Sequence, residues 1–175
     1  MIQDIFPHVY HNAFQKCEAQ PQDMLLAYRG NAVLSAPEEF RLPRCGDLPN
    51  MPVRYAFSID DTRYFLAENA PEEQTAWRLL PSAEYRYALP HETAFACAVG
   101  ETLHRWYCSN RFCGACGAEM ADSAAERALC CPKCGAVVYP RINPAVIVAV
   151  TDGEKLLLTK YAGRSFRRFA LVAGF

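Results

Sequence analysis

Apolar and polar positions change their period several times along this chain, and each change marks an element. Met24-Leu25-Leu26-Ala27-Tyr28, then Arg29-Gly30-Asn31, then Ala32-Val33-Leu34 predict two strands around a turn. Val53 to Ile59 and Thr62 to Ala67 flank Asp60-Asp61 in the pattern of a hairpin. Between these pairs, Pro37 to Pro52 carries four prolines and a glycine and reads as a loop that punctuates the sheet. Residues 1–23 mix aromatics with polar residues and two prolines, an irregular lead-in. The first eighty residues or so therefore predict a small, mostly antiparallel β module.

From Glu92 to Tyr107 the period becomes that of a helix, with Phe95, Val99, Leu103, Trp106 and Tyr107 on one face, Pro90 before it and Ser109-Asn110 after it. Further on, Val137-Val138-Tyr139-Pro140 leads to Ala145-Val146-Ile147-Val148-Ala149-Val150, a β-branched run apolar enough to be buried on both faces. Asp152-Gly153 predicts a hairpin before Glu154 to Thr159, and Phe169 to Phe175 opens another strand. These strands have no partner helices after them, so they are expected to open a third domain and, uncovered, to be exposed or paired with another chain. The organisation expected is α+β: a β-rich module at 1–90, a connecting helix at 91–110, a metal-binding segment at 111–140, and the start of a further domain at 141–175.

The chemistry is most legible between Cys113 and Cys134. Cys113-Gly114-Ala115-Cys116-Gly117 and Cys131-Pro132-Lys133-Cys134-Gly135 are two Cys-x-x-Cys pairs, each closed by glycine, with 14 residues between Cys116 and Cys131. A thiolate pair at this spacing chelates one ion only if the backbone turns tightly beneath the sulfurs, and the glycine accepts the positive φ that the turn demands. Four thiolates in a tetrahedron select Zn²⁺ over hard cations, so Cys113, Cys116, Cys131 and Cys134 predict a structural zinc ribbon. Cys130 falls outside the repeated spacing and reads as a packed bystander, as do Cys17, Cys45, Cys97 and Cys108.

Composition narrows the partners. Eighteen basic residues against nineteen acidic ones leave a net charge of −1, so no global polycationic surface for nucleic acid or membrane is present. Arg44 and Arg86 are single arginines of the β module, in reach of a phosphate only if the fold gathers them. The run Lys160 to Arg168 holds Lys160, Arg164, Arg167 and Arg168 without an acid and reads as a solvated loop. The longest apolar stretch, 145–150, is too short to cross a bilayer, and Asp4 with no basic cluster does not fit a signal peptide, so a reducing cytoplasm is the expected setting for nine cysteines.

Phe112-Cys113-Gly114-x-Cys116-Gly117, the second Cys-x-x-Cys, Val138-Tyr139-Pro140-Arg141-Ile142-Asn143-Pro144-Ala145-Val146-Ile147-Val148, a hairpin and Leu171-Val172-Ala173-Gly174-Phe175 together resemble the NADH pyrophosphatase branch of the Nudix hydrolases. The resemblance is specific over 111–175 and weak before it. It implies an N-terminal β domain, a four-cysteine zinc ribbon and a Nudix α/β/α domain in a homodimer, hydrolysing NADH or NAD⁺ to a nicotinamide mononucleotide and AMP and able to act on NAD-capped RNA. It implies structural Zn²⁺ on the four cysteines, catalytic Mg²⁺ or Mn²⁺, substrate contacts at Glu126 and Tyr139, and a metal-holding backbone carbonyl at Ala173. Gly174 would be the first glycine of the Nudix box, whose clustered glutamates do not occur in these residues. No catalytic residue is therefore assigned, and the chain as given is expected not to hydrolyse NADH.

Two other readings stay open beside that one. A non-catalytic zinc-ribbon module for nucleic acid or protein has a modest basic excess for support, with Arg105, Arg111, Arg127, Lys133 and Arg141 against Glu119, Asp122 and Glu126. A structural dimerisation scaffold is the third.

Overall fold

The hairpin expected around Asp60-Asp61 is the spine of the first part of the chain. In the computed structural model, which describes residues 2–36, 38, 40–71, 76–87, 90–163, 165 and 167–174, it joins the two longest strands. The strands run in chain order as β1 Tyr10–His11, β2 Met24–Leu26, β3 Tyr28–Arg29, β4 Ala32–Ser35, β5 Val53–Ile59, β6 Thr62–Ala67 and β7 Arg78–Pro81. A one-turn helix α1, Ser82–Tyr85, and the long helix α2, His91–Ser109, follow. Pro37, Arg164 and Phe175, used in the sequence reading, lie outside the described residues.

One sheet has the order β1-β5-β6-β2 and a second the order β3-β4-β7. All pairings are antiparallel except β2 with β6, which run parallel with Leu25 opposite Phe65. The departure follows from Ala27, the single residue between β2 and β3. The chain crosses there from one sheet to the other, and only β3 turns back on β4 around Gly30. Successive side chains of this continuous apolar run alternate between faces. Leu26, Tyr28 and Val33 thus join a core with Phe57, Tyr64 and Leu66, while Leu25, Ala27 and Leu34 join a second with Ala67 and Trp77.

Helix α2 closes the first core. Pro90 precedes it and Asn110 ends it, the Asn110 side-chain amide donating to the Trp106 carbonyl at 2.7 Å. Its buried residues are Ala94, Ala96, Cys97, Gly100, Leu103, His104 and Trp106, so Leu103 and Trp106 of the expected stripe are buried while Phe95, Val99 and Tyr107 are only partly so. The expected apolar stripe is therefore rotated, and packing explains why. A Cβ on Gly100 would lie 2.6 Å from the Tyr28 hydroxyl and 2.7 Å from a Leu26 methyl, so the small residues let the helix backbone press onto the sheet. Tyr28 uses that approach to donate to the Cys97 carbonyl at 2.7 Å, and its ring stacks on His104.

By contacts the chain divides into Met1–Pro140 and Arg141–Phe175. The second unit contains β11 Val146–Val148, paired antiparallel with β14 Val172–Gly174, and a hairpin of β12 Thr151–Asp152 with β13 Lys155–Leu156 turning at Gly153. The expected strand Glu154 to Thr159 is shortened to two residues plus a bridge from Thr159 to Ala170. The apolar run at 145–150 is not buried on both faces as its composition allows. Val146 is 62 % and Ile147 72 % exposed, because among the described residues β11 pairs only with β14 and no helix of this unit covers either face. No helix among the described residues is long and apolar enough to cross a membrane.

The lead-in is tied to the hairpin by charge. His8 Nδ1 lies 2.7 Å from Asp60 Oδ2, Asp60 Oδ1 accepts the Val9 amide at 2.8 Å, and Glu92 stands 3.8 Å from His8 Nε2. The Asp60 hydrogen bond, then Glu92, raise the His8 imidazole above its usual 6.5, and the His8 and Val9 contacts hold the Asp60 carboxyl below its usual 3.8. The His8 contribution is full below 6.5 and lost as pH rises through the raised value; that of Asp60 is full above 3.8 and lost as pH falls through the lowered one. The tie is thus strongest between those limits. NMR titration should place His8 above 6.5, and Asp60→Asn, which retains a residue tolerant of the positive φ there, should bring it back toward 6.5. An unmoved midpoint would contradict the ion pair.

Candidate functional site

Residues 111–139 build a small three-stranded sheet of β8 Ala121–Asp122, β9 Leu129–Cys130 and β10 Val137–Val138, in the order β10-β9-β8. Two matching turns open it. The Gly117 amide donates to the Cys113 carbonyl at 2.8 Å and the Gly135 amide to the Cys131 carbonyl at 3.0 Å. One residue further on, the Ala118 and Ala136 carbonyls accept from the amides of Cys113 and Cys131. Gly117 and Gly135 take φ of 73° and 75°, the left-handed conformation the motif required of them.

The turns bring four sulfurs together. Cys113, Cys116, Cys131 and Cys134 have Sγ atoms all within 4.8 Å of one another, with Cys113–Cys134 at 3.6 Å and Cys116–Cys131 at 3.5 Å. Zn–S bonds of about 2.3 Å in a tetrahedron require S–S separations of roughly 3.8 Å, so the cluster fits a single Zn²⁺. The Cys134 amide pulls the Cys131 thiol down to about 6, and the Ala115 and Cys116 amides lower that of Cys113. At the other two sulfurs the backbone amides of Ala118 and Ala136 are outweighed by the neighbouring thiols, which raise Cys134 and push Cys116 up to about 12. Cys130 lies in β9 opposite Val137 and Ala121 and outside the cluster, as its spacing indicated.

The ribbon also fixes two side chains at the end of its sheet. Pairing of Val138 with Leu129 carries Tyr139 back toward the loop before β9, where its hydroxyl donates to Glu126 Oε1 at 2.8 Å. That bond raises the Tyr139 hydroxyl above its ordinary value. Tyr139 is nevertheless 52 % exposed, so an aromatic face stands open beside a carboxylate. Ala173 lies in β14 of the other unit, opposite Ile147.

Two arginines important to this arrangement were not singled out from the sequence. Arg54 on β5 donates to Asp122 at 2.7 Å, pairs with Glu68 and lies over the Tyr107 ring. Arg127 donates to the Asn12 side chain at 2.6 Å, to the Asn12 carbonyl at 3.1 Å and to the Ala56 carbonyl. In sequence Arg127 is one basic residue among five around the ribbon; its adjacency to Glu126 is the signal that marks it.

Residues 109–139 match the family described as NADH pyrophosphatase zinc ribbon domain. The NAD-capped RNA hydrolase NudC of Chromobacterium violaceum is 34 % identical over 119 residues, which is 66 % of this chain and 44 % of that protein. The proteins of the same name from Stutzerimonas stutzeri and Pectobacterium carotovorum are 43 % identical over 70 residues and 41 % over 76, covering 40 % and 43 % of this chain and 25 % and 29 % of theirs. The matched residues thus span less than half the length of each relative.

Purified protein should contain one zinc per chain. Co²⁺ in its place should give the intense thiolate-to-metal charge-transfer absorption of a tetrathiolate site, weakened in Cys131→Ser. Less than about half an equivalent of zinc in folded protein would contradict the assignment.

Proposed function

With a zinc ribbon of the NADH pyrophosphatase family at residues 109–139, this chain belongs to that branch of the Nudix hydrolases, and we propose that it serves hydrolysis of the pyrophosphate in NADH, NAD⁺ or the NAD cap of an RNA. The observation that carries this reading is the exposed Tyr139 ring held by the Glu126 carboxylate at the edge of the zinc-bound hairpin. An aromatic face offers stacking to adenine or nicotinamide, and a fixed carboxylate accepts hydrogen bonds from a ribose or an amide. These residues bind and orient the dinucleotide, whereas zinc shapes the ribbon and touches no substrate. The Ala173 carbonyl would be one oxygen ligand for Mg²⁺ or Mn²⁺, which when bound would supply neutralisation of the charge on the pyrophosphate oxygens. Carboxylates must supply the rest of that site, and no catalytic role is assigned to Glu126 or Tyr139. A cytoplasmic homodimer is the assembly proposed.

Tyr139→Ala should weaken NAD⁺ binding by about 1–3 kcal/mol, while Tyr139→Phe, which retains the ring, should lose much less. Calorimetric titration of zinc-loaded protein checks both. Unchanged affinity with a lowered melting temperature in Tyr139→Ala would mean that the ring only packs the ribbon.

A further inference from the structure

The loop that carries Glu126 is short of contacts of its own. Between β8 and β9 it is held internally by the Ser123 amide bonding to the Ala128 carbonyl at 2.9 Å and by a tight turn from the Ala128 amide to the Glu126 carbonyl at 2.8 Å. Glu126 itself is exposed, and its carboxylate accepts from the Tyr139 hydroxyl. The next residue is anchored far more firmly.

The Arg127 guanidinium spans two separate pieces of the first β module, with one nitrogen on the side-chain and main-chain oxygens of Asn12 and the other on the Ala56 carbonyl. Ala56 lies in β5, where the register with β6 shifts between Tyr55 and Phe57, and is 2 % exposed. Asn12 is steadied in turn by the Tyr10 hydroxyl, which donates to the same side-chain oxygen at 2.8 Å. Both ends of the fork therefore rest on ordered acceptors. A lysine would retain the charge but, as a single ammonium, cannot reproduce a fork that bridges these acceptors. The ribbon has a second, independent tie in Arg54–Asp122, and the zinc cluster is a third restraint. The ribbon thus has ties other than Arg127, whose own bonds join the backbone beside Glu126 to the β module.

The geometry points to Arg127 as a positioning residue: clamped to Asn12 and Ala56, it holds the Glu126 carboxylate at the Tyr139 hydroxyl and so makes the N-terminal β module a working part of the dinucleotide site. The dinucleotide part of this assignment rests on the function proposed above; the positioning part does not.

The test uses the zinc-loaded 175-residue chain with fluorotyrosine incorporated, the Tyr139 resonance being assigned through Tyr139→Phe. Arg127→Ala should keep its zinc and its melting cooperativity yet move the Tyr139 signal in the same direction as Glu126→Gln does. It should also weaken NAD⁺ binding about three- to tenfold, the worth of one well-placed hydrogen bond. Arg127→Lys should fail to restore either. Because Arg127 acts through Glu126, the double variant should bind NAD⁺ no more weakly than Glu126→Gln alone. Asn12→Ala removes one acceptor without touching the ribbon and should reproduce a smaller shift, which decides the matter if Arg127→Ala does not fold. A Tyr139 signal unmoved by Asn12→Ala and by any folded Arg127 variant, or losses of affinity that multiply in the double variant, would overturn the proposal. If the unsubstituted chain binds no NAD⁺ but its Tyr139 signal follows Arg127, the dinucleotide reading fails and the positioning role is supported.

Discussion

Four sulfurs that would repel one another as thiolates are what residues 113–139 fold around. The two knuckles lie 14 residues apart, and the sheet between them has strands of only two residues each. Ladders that short cannot hold themselves together in water, and the few buried side chains of the ribbon, Ala128 and Leu129 among them, add little area. A divalent ion joined to both knuckles removes the repulsion and closes the loop in one step, so the register of β9 on β10 depends on it. That register is what delivers Tyr139 to Glu126.

The same dependence reaches the β module through charge rather than through metal. Arg54 of β5 reaches Asp122 on one side of the β8–β9 loop, and Arg127 on the other side reaches back to Asn12 and Ala56. Helix α2 supplies the connection in sequence, and Gly100 lets it lie close enough to Tyr28 for the helix, both sheets and the ribbon to form one continuous unit through Pro140. The zinc site is therefore a local organiser whose effect is carried outward by a few directed hydrogen bonds.

Local rules made much of this legible in advance. The glycine after each Cys-x-x-Cys pair, the Asp60-Asp61 and Asp152-Gly153 turns and the proline before α2 each impose a backbone conformation on their own neighbourhood, and each stands where the sequence puts it. What could not be read depends on contacts between distant residues. The parallel pairing of β2 with β6 follows from the chain's crossing between two sheets at Ala27, and the rotated stripe of α2 follows from the size of Tyr28 opposite Gly100. Arg127 escaped notice because a lone arginine says nothing about the carbonyls 71 and 115 residues away that will accept its protons. Glu126 and Tyr139 are marked in the sequence by resemblance alone, and the hydrogen bond that joins them is a contact across 13 residues that no local rule gives.

The central claim is that zinc, through the ribbon, sets the geometry at Glu126 and Tyr139 while the β module stands without it. Amide hydrogen exchange before and after zinc is removed by a chelator tests this directly. The account predicts that the amides of Cys113, Gly117, Cys131 and Gly135 and those of β8 to β10 lose protection together, while β5 and β6 retain theirs. Ribbon amides that stay protected in metal-free protein would contradict it.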